Sequence, residues 1–326
     1  MHVVEVAETG GPEVLRYVEK PVPTPGPGEV VIKADAIGVN YIDTYFRSGM
    51  YPRELPFVVG SEVCGTVTAV GDDVAAINAG DRVVTANAVG AYAEYCTAPA
   101  DFVAYVPESV QSDHVASALL KGMTAHYLIK SVYQVQPRDW LLVHAGAGGV
   151  GLILTQWATS IGARVVTTAS NPEKASLSRE AGAVEVLEYP DPENPGEFAK
   201  RVRSMTDGRG MAAVYDGVGK TTFDASLASL AVRGTLALFG AASGAVPPVD
   251  PQRLNSAGSV YLTRPSLGHF IRTPDEFAWR AGELMDALAD GSLTITVGGH
   301  YPLAEAQRAH EDLQGRRTTG SVVLMP

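Results

Sequence analysis

Residues 146–151 read Gly-Ala-Gly-Gly-Val-Gly, a G-x-G-x-x-G spacing. Each glycine of such a pattern has a physical task. One allows a tight turn, one lets the backbone approach a pyrophosphate, and one lets a helix pack closely on a strand. The context supplies what the pattern needs: the apolar segment Trp140–His144 before it, an apolar-faced helix over Val150–Ile161 after it, and a second strand over Arg164–Ala169. A helix that starts there offers unpaired N–H groups and a partial positive charge to phosphates. Gly146, Gly148, Gly149, Val150 and Gly151 are therefore read as a dinucleotide phosphate cradle.

The second strand decides which dinucleotide. An NAD-preferring site places Asp or Glu at its end to bond the ribose 2′-OH. Here the strand runs out as Thr167-Thr168-Ala169-Ser170-Asn171, with no acid. Ser170 can donate to a 2′-phosphate, Lys174 can supply charge and Tyr189 a hydroxyl, so the expectation is NADPH.

Other chemistries find little support. The two cysteines, Cys64 and Cys96, lie far apart, the seven histidines are scattered, and no Cys/His ligand spacing is present. His144 ends a buried strand and reads as a packed or hydrogen-bonded side chain. No G-x-S-x-G elbow occurs. Hydride transfer needs neither nucleophile nor metal, only a nicotinamide held against an electrophilic carbon in a dry cleft.

The elements that must position this loop follow from the rest of the pattern. The length of 326 residues favours two domains. The first third is strand- and turn-rich: Val30–Val39, Gly65–Val70 and Asp81–Val84 read as strands, after a proline-rich connector at Pro21, Pro23, Pro25 and Pro27. Helices are expected over Asp113–Leu120, capped by Ser112 or Asp113, and over Thr124–Val132. From Trp140 strands and helices alternate: Pro172–Ala181, Glu197–Met205 and Thr222–Leu230 as helices, Val184–Leu187, Ala212–Tyr215 and Thr235–Phe239 as strands. Such alternation means a parallel, doubly wound α/β sheet. Helices Pro274–Asp290 and Ala304–Leu313 follow, and the last strand, Gly320–Leu324, is expected to return to the first domain.

Composition narrows the partners. A net charge of −11 with no basic run argues against nucleic acid. Two isolated cysteines point to a reducing compartment. The N-terminus lacks the pattern of a secretory signal, and no apolar run approaches the ~20 residues that cross a bilayer. The expected location is the cytoplasm.

Six stretches carry a resemblance: VNYIDTYFRSGMYP (39–52), AVGDDVAAINAGDRV (69–83), LLKGMTAHYL (119–128), VHAGAGGVG (143–151), VYDGVG (214–219) and TRPSL (263–267). The chain resembles, over nearly its whole length, the zeta-crystallin-type quinone oxidoreductases, the zinc-free branch of the medium-chain dehydrogenase/reductase superfamily. The resemblance implies a GroES-like β-rich catalytic domain, discontinuous over 1–123 and 264–326, and a Rossmann domain over 124–263, with the cleft between them. It implies NADPH, a homodimer, and no metal: where zinc-dependent relatives carry a cysteine and a His-Glu pair, this chain reads Asn40-Tyr41-Ile42-Asp43 and Gly60-Ser61-Glu62. By the same resemblance Asn40, Asp43, Tyr45 and Tyr51 line the nicotinamide and acceptor side. Thr124 touches the cofactor, and Phe239, Gly240 and Ser243 sit near the nicotinamide. Arg316 reaches back toward the cofactor. Two positions depart from the pattern: Ser170 stands where relatives often have glycine, and Gly217 where some have serine.

The expected reaction is NADPH-dependent reduction of a quinone by hydride transfer, with the oxyanion held by Asn40 or a tyrosine hydroxyl. An enone or alkenal reductase differs only in its acceptor. A non-catalytic NADPH-binding protein, crystallin-like or RNA-binding, is the reading from another class.

Overall fold

The computed structural model describes all residues, 1–326. The chain forms two compact units: Met1–Met123 with Ile271–Pro326, and Thr124–Phe270. The return point lies at Phe270/Ile271, later than residue 264. The short helix Leu267–Phe270 belongs to the second unit, where the Phe270 ring stacks on Tyr127 at 4.4 Å.

The first unit is built on β-structure. A seven-stranded sheet runs Val297–Pro302, Ser321–Met325, Glu29–Val39, Glu62–Val70, Arg82–Thr85 and Ala104–Tyr105 in order, and Tyr95–Pro99 also pairs with Glu29–Val39. The C-terminal strand Ser321–Met325 lies antiparallel to Glu29–Val39, so the tail does return to the first domain. A three-stranded sheet of Leu15–Glu19, His2–Val6 and Phe57–Val58 adds strands that the sequence pattern did not announce. Val4, Val6, Ile32, Ile37, Val63, Val83, Tyr92, Val322 and Leu324 belong to its core.

The second unit is a six-stranded sheet in the order Glu185–Leu187, Arg164–Thr168, Trp140–Val143, Met211–Asp216, Leu230–Leu238, Tyr261–Thr263, every pair parallel. Numbered along the chain this is 3-2-1-4-5-6, the doubly wound order of dinucleotide-binding folds. Strand 1 is fully buried at Leu141, Leu142 and Val143, as a strand covered on both faces must be. Its neighbours leave it in opposite directions. That switch point, between Val143 and Asp216, is where such sheets open a crevice beyond their carboxyl ends.

Two helix expectations need correction. The helix expected over Asp113–Leu120 breaks after Ala116, and a new helix, Leu119–Tyr127, runs across the unit boundary before a one-turn π-helix, Leu128–Val132. The cap is Gln111, not Ser112 or Asp113. Asp113 instead accepts the neighbouring N–H of His114, and Ser112 Oγ accepts from Arg82.

Candidate active site

In the second unit, every residue expected at the dinucleotide except Thr124 follows the carboxyl end of a strand or the glycine turn attached to it. The turn after Trp140–Val143 begins with Ala145 at φ 56° and ends in the helix Gly149–Ser160, capped by Gly148. The glycines divide the tasks. A Cβ at Gly146 would lie 2.4 Å from Thr167 Cβ, and one at Gly151 2.4 Å from the Ala145 carbonyl, so these two allow turn and helix to press on the sheet. A Cβ at Gly148 would meet only the Ala145 oxygen at 3.2 Å, which leaves its other side open for a ligand to approach. Gly148 has no side chain to cap the first N–H groups of the helix. They are presented, with the positive end of the helix dipole, to an incoming pyrophosphate. These residues fit a dinucleotide.

A buried polar chain fixes the turn. Thr168 Oγ1 accepts the Ala145 N–H at 3.1 Å and lies 3.1 Å from His144 Nδ1. His144 Nε2 lies 3.0 Å from Ser226 Oγ, which donates to Asp216 Oδ2 at 2.7 Å. Asp216 accepts also from the N–H groups of Val218 and Gly219 and from Thr222. The directions are forced. Ser226 spends its proton on Asp216, so His144 must donate through Nε2 and receive at Nδ1 from Thr168. Burial lowers the His144 pKa, against the pull of Asp216, and favours this neutral ring. One continuous chain thus connects the turn after strand 1 to the turn after strand 4, on either side of the switch point.

Ser170 is exposed just beyond Arg164–Thr168, and no acidic side chain stands at that strand end. Asn171 accepts the Lys174 backbone N–H and so caps the helix Pro172–Glu180. Tyr189 follows strand Glu185–Leu187 and lies over the His144 ring, centroids 6.5 Å apart. Phe239 and Gly240 follow strand Leu230–Leu238. A Cβ at Gly217 would meet the Phe239 ring at 2.9 Å, and one at Gly240 the Gly217 oxygen at 2.3 Å. A serine at 217 therefore requires the Phe239 ring to shift. Ser243 differs from expectation in its side chain: its hydroxyl donates to the Val218 carbonyl and accepts the Thr221 N–H, tying these turns together. Thr124 is buried in the helix Leu119–Tyr127.

In the first unit, Asn40 caps the short helix Tyr41–Arg47. Its Nδ2 donates to Glu62 Oε2 at 2.7 Å, and Glu62 Oε1 accepts the Leu120 N–H at 2.7 Å. Gly38 makes this possible, since a Cβ there would lie 2.2 Å from Glu62 Oε2. Both Glu62 oxygens accept, and Lys121 Nζ lies 3.6 Å from Oε2. Burial raises the Glu62 pKa, while Lys121, Asn40 and Leu120 hold it down.

Asp43, like Asn40, is 2% exposed, its Oδ2 accepting the Asn40 N–H at 2.8 Å and the Tyr92 hydroxyl at 3.0 Å. These bonds hold the helix start that carries Asn40. Burial pushes the Asp43 pKa to about 7 against the opposing hydrogen bonds of Asn40 and Tyr92. Behind it, Tyr92 Oη lies 3.0 Å from His310 Nε2, and His310 Nδ1 lies 3.1 Å from Arg47 Nη1. Arg47 can only donate, so this chain too has one direction, from Arg47 through His310 and Tyr92 to Asp43. Tyr45 packs edge-on to Tyr51 at 5.2 Å and lies 5.7 Å from Tyr41. Arg316, at φ 56° beyond the helix Ala306–Gln314, lies close enough to Tyr41 to lower its pKa, opposing the larger rise from burial.

Two family models match the chain: the alcohol dehydrogenase GroES-like domain at residues 26–108 and the zinc-binding dehydrogenase at 149–286. A quinone oxidoreductase from Pseudomonas aeruginosa is 43% identical over 99% of both chains. The chain belongs to the quinone oxidoreductase family. A 2-haloacrylate reductase from Burkholderia is 40% identical over 98% of both chains. A mycobacterial protein solved in complex with NADPH is 69% identical, covers 100% of both chains and superposes with a TM-score of 0.98.

Family membership places Asn40 and Glu62 in context. One matching model is described as zinc-binding, yet no group of three or more His, Cys, Asp or Glu side chains here is arranged to hold a metal ion. The chain fits the zinc-free branch. Lys121, Glu62, Tyr92, Arg47 and His310 were not assigned site roles by sequence reasoning. Arg47 and Lys121 lie in the stretches that carry the family resemblance, Glu62 in the Gly60-Ser61-Glu62 segment and Asp216 in VYDGVG, whereas Tyr92 and His310 left no signal.

Proposed function

We propose that the chain binds NADPH and reduces quinones by hydride transfer, with unit-two residues holding the cofactor and Asn40, Tyr45 and Tyr51 facing the acceptor. The observation that carries this reading is the glycine turn at the switch point of a 3-2-1-4-5-6 sheet whose second strand ends without an acid. The quinone oxidoreductase relative and the NADPH-bound mycobacterial relative support it. Bound NADPH supplies the hydride. The residues supply the rest. Gly148, Gly149, Val150 and Gly151 bind the pyrophosphate, and Ser170, Lys174 and Tyr189 surround the 2′-phosphate. Thr124, Phe239, Gly240, Ser243 and Arg316 complete the contacts, and Asn40 donates to the acceptor oxygen. A quinone is already a strong electron acceptor, so hydrogen-bond donors suffice and no metal enters.

The test is NADPH oxidation with and without an ortho-quinone, in excess chelator, repeated with NADH. Quinone-dependent loss of NADPH that survives chelator and is much weaker with NADH is the expected result. An NADH preference would overturn the reading of Ser170 and Lys174. The 2-haloacrylate reductase relative favours a second acceptor class, the activated alkene. Turnover of a simple enone without turnover of quinones would decide for it.

The homodimer belongs to the same proposal. Tyr261–Thr263 is an edge strand of the six-stranded sheet, and Tyr261 and Val232 are strongly exposed. An unpaired edge with apolar side chains can pair across a two-fold axis. A monomer by light scattering would refute it. Cytoplasmic location is proposed from the two buried, unpaired cysteines; no helix is long and apolar enough to cross a membrane.

A further inference from the structure

Lys121 carries a buried ammonium whose hydrogen-bonding capacity the chain leaves unused. Its side chain is 9% exposed and its Nζ has no hydrogen-bond partner. Glu62 Oε2, at 3.6 Å, is within ion-pair range but beyond an ordinary hydrogen bond. An ammonium carries three donors, and a buried donor left unsatisfied is destabilising. The same Oε2 accepts Asn40 Nδ2 at 2.7 Å, so amide and ammonium converge on one carboxylate oxygen. Glu62 Oε1 is occupied by the Leu120 N–H, on the residue preceding Lys121. The carboxylate therefore fixes both the amide orientation of Asn40 and the place of the Lys121 charge. Asp43 is the other acid within electrostatic reach of Lys121, and its oxygen Oδ2 is engaged by Asn40 and Tyr92.

We propose that Lys121 is a catalytic residue: its ammonium donates a hydrogen bond to the acceptor oxygen that becomes an oxyanion, with Glu62 as its positioning residue. This rests on the reading of Asn40 as facing the acceptor. In the balance quinone + NADPH + H⁺ → hydroquinone + NADP⁺, the acceptor gains a hydride and then one proton from solvent. Between the two events its oxygen carries the negative charge. A fixed ammonium binds that oxygen more strongly as the charge develops, which is the form of binding that accelerates a reaction. Lys121 is neither consumed nor oxidised.

Lys121→Met alone strands the Glu62 charge, so the deciding variant is Lys121→Met with Glu62→Gln, which removes both charges together. Three quantities are measured: melting temperature, NADPH affinity, and the affinity of para-nitrophenolate, an inert oxyanion whose spectrum reports binding. The expected result is a folded double variant with NADPH affinity within about twofold of wild type and phenolate binding weakened about tenfold or more. Turnover with para-benzoquinone is expected to fall about 100-fold. Lys121→Arg, which keeps the charge, is expected to recover part of the phenolate affinity. A folded double variant that binds phenolate or reduces quinone as wild type does would overturn the proposal. If the wild type rejects every quinone, the acceptor class is wrong, and the phenolate arm still decides Lys121.

Discussion

At the residue scale the molecule depends on two directed chains of buried hydrogen bonds. The first runs Thr168, His144, Ser226, Asp216 and holds the phosphate turn. Thr168→Val keeps the shape but leaves the Ala145 N–H and His144 Nδ1 without partners. The expected loss is about 1–3 kcal/mol of stability and weaker NADPH binding, with Thr168→Ser keeping most of both. Urea unfolding and a cofactor titration check this. The second chain runs Arg47, His310, Tyr92, Asp43. Burial, then the Arg47 charge, lower the His310 pKa from 6.5 to about 3. The unfolded chain binds this proton more readily, so stability is full above pH 6.5 and is lost as pH falls toward 3. Asp43 acts in the opposite sense. Its folded pKa of about 7 lies above the ordinary 3.8, so its contribution is present in acid and lost as pH rises through 7. His310→Gln is expected to flatten the fall of unfolding free energy between pH 6.5 and 3, by on the order of a few kcal/mol. An unchanged slope would show that the acid sensitivity originates elsewhere.

At the element scale the site is a set of turns that approach one another too closely for ordinary side chains. The turn after Met211–Asp216 and the turn after Leu230–Leu238 touch backbone to backbone, with Phe239 laid on Gly217. Gly217→Ser is expected to displace that ring, at a cost of about 1–3 kcal/mol, and to raise the NADPH dissociation constant. Melting temperature and cofactor titration report the two effects separately. Retention of both at wild-type values would mean that the ring has another place to go. The helix Gly149–Ser160 shows the same logic: Gly151 admits the Ala145 carbonyl, and Gly148 leaves space outside.

At the scale of the whole molecule, each unit has its own apolar core, and the proposed cofactor contacts belong mainly to one of them. Ligand binding to the folded state alone stabilises it by mass action, about 2.7 kcal/mol at a free concentration a hundred times Kd. NADPH is therefore expected to raise the unfolding temperature more than NADH at equal concentration. Lys174→Glu places a negative charge beside the expected 2′-phosphate. The expected outcome is an NADPH affinity lowered about tenfold or more, with NADH little changed. Equal losses for both cofactors would remove Lys174 from the phosphate site.

The sequence by itself determined what depends on local pattern. The glycine turn, the strands and helices alternating around it and the missing acid after Thr168 are all properties of neighbouring residues, and they marked a doubly wound, dinucleotide-binding unit. His144 could be read as a hydrogen-bonded buried side chain because it ends an apolar strand. Tertiary structure alone decided which buried groups gather around Asn40 and Asp43. Glu62, Tyr92, Lys121 and His310 come from different elements, and none has a spacing that points to the others. Their association depends on Gly38 letting Glu62 pass close to a strand, and on the C-terminal helix bringing His310 to Tyr92. The structure likewise showed Asp43 bonded to Asn40 and Tyr92, and placed the Phe239 ring against Gly217. The physical reason is range: turns and periodic strands are set by contacts a few residues apart, whereas a buried charge is kept only where distant partners converge on it.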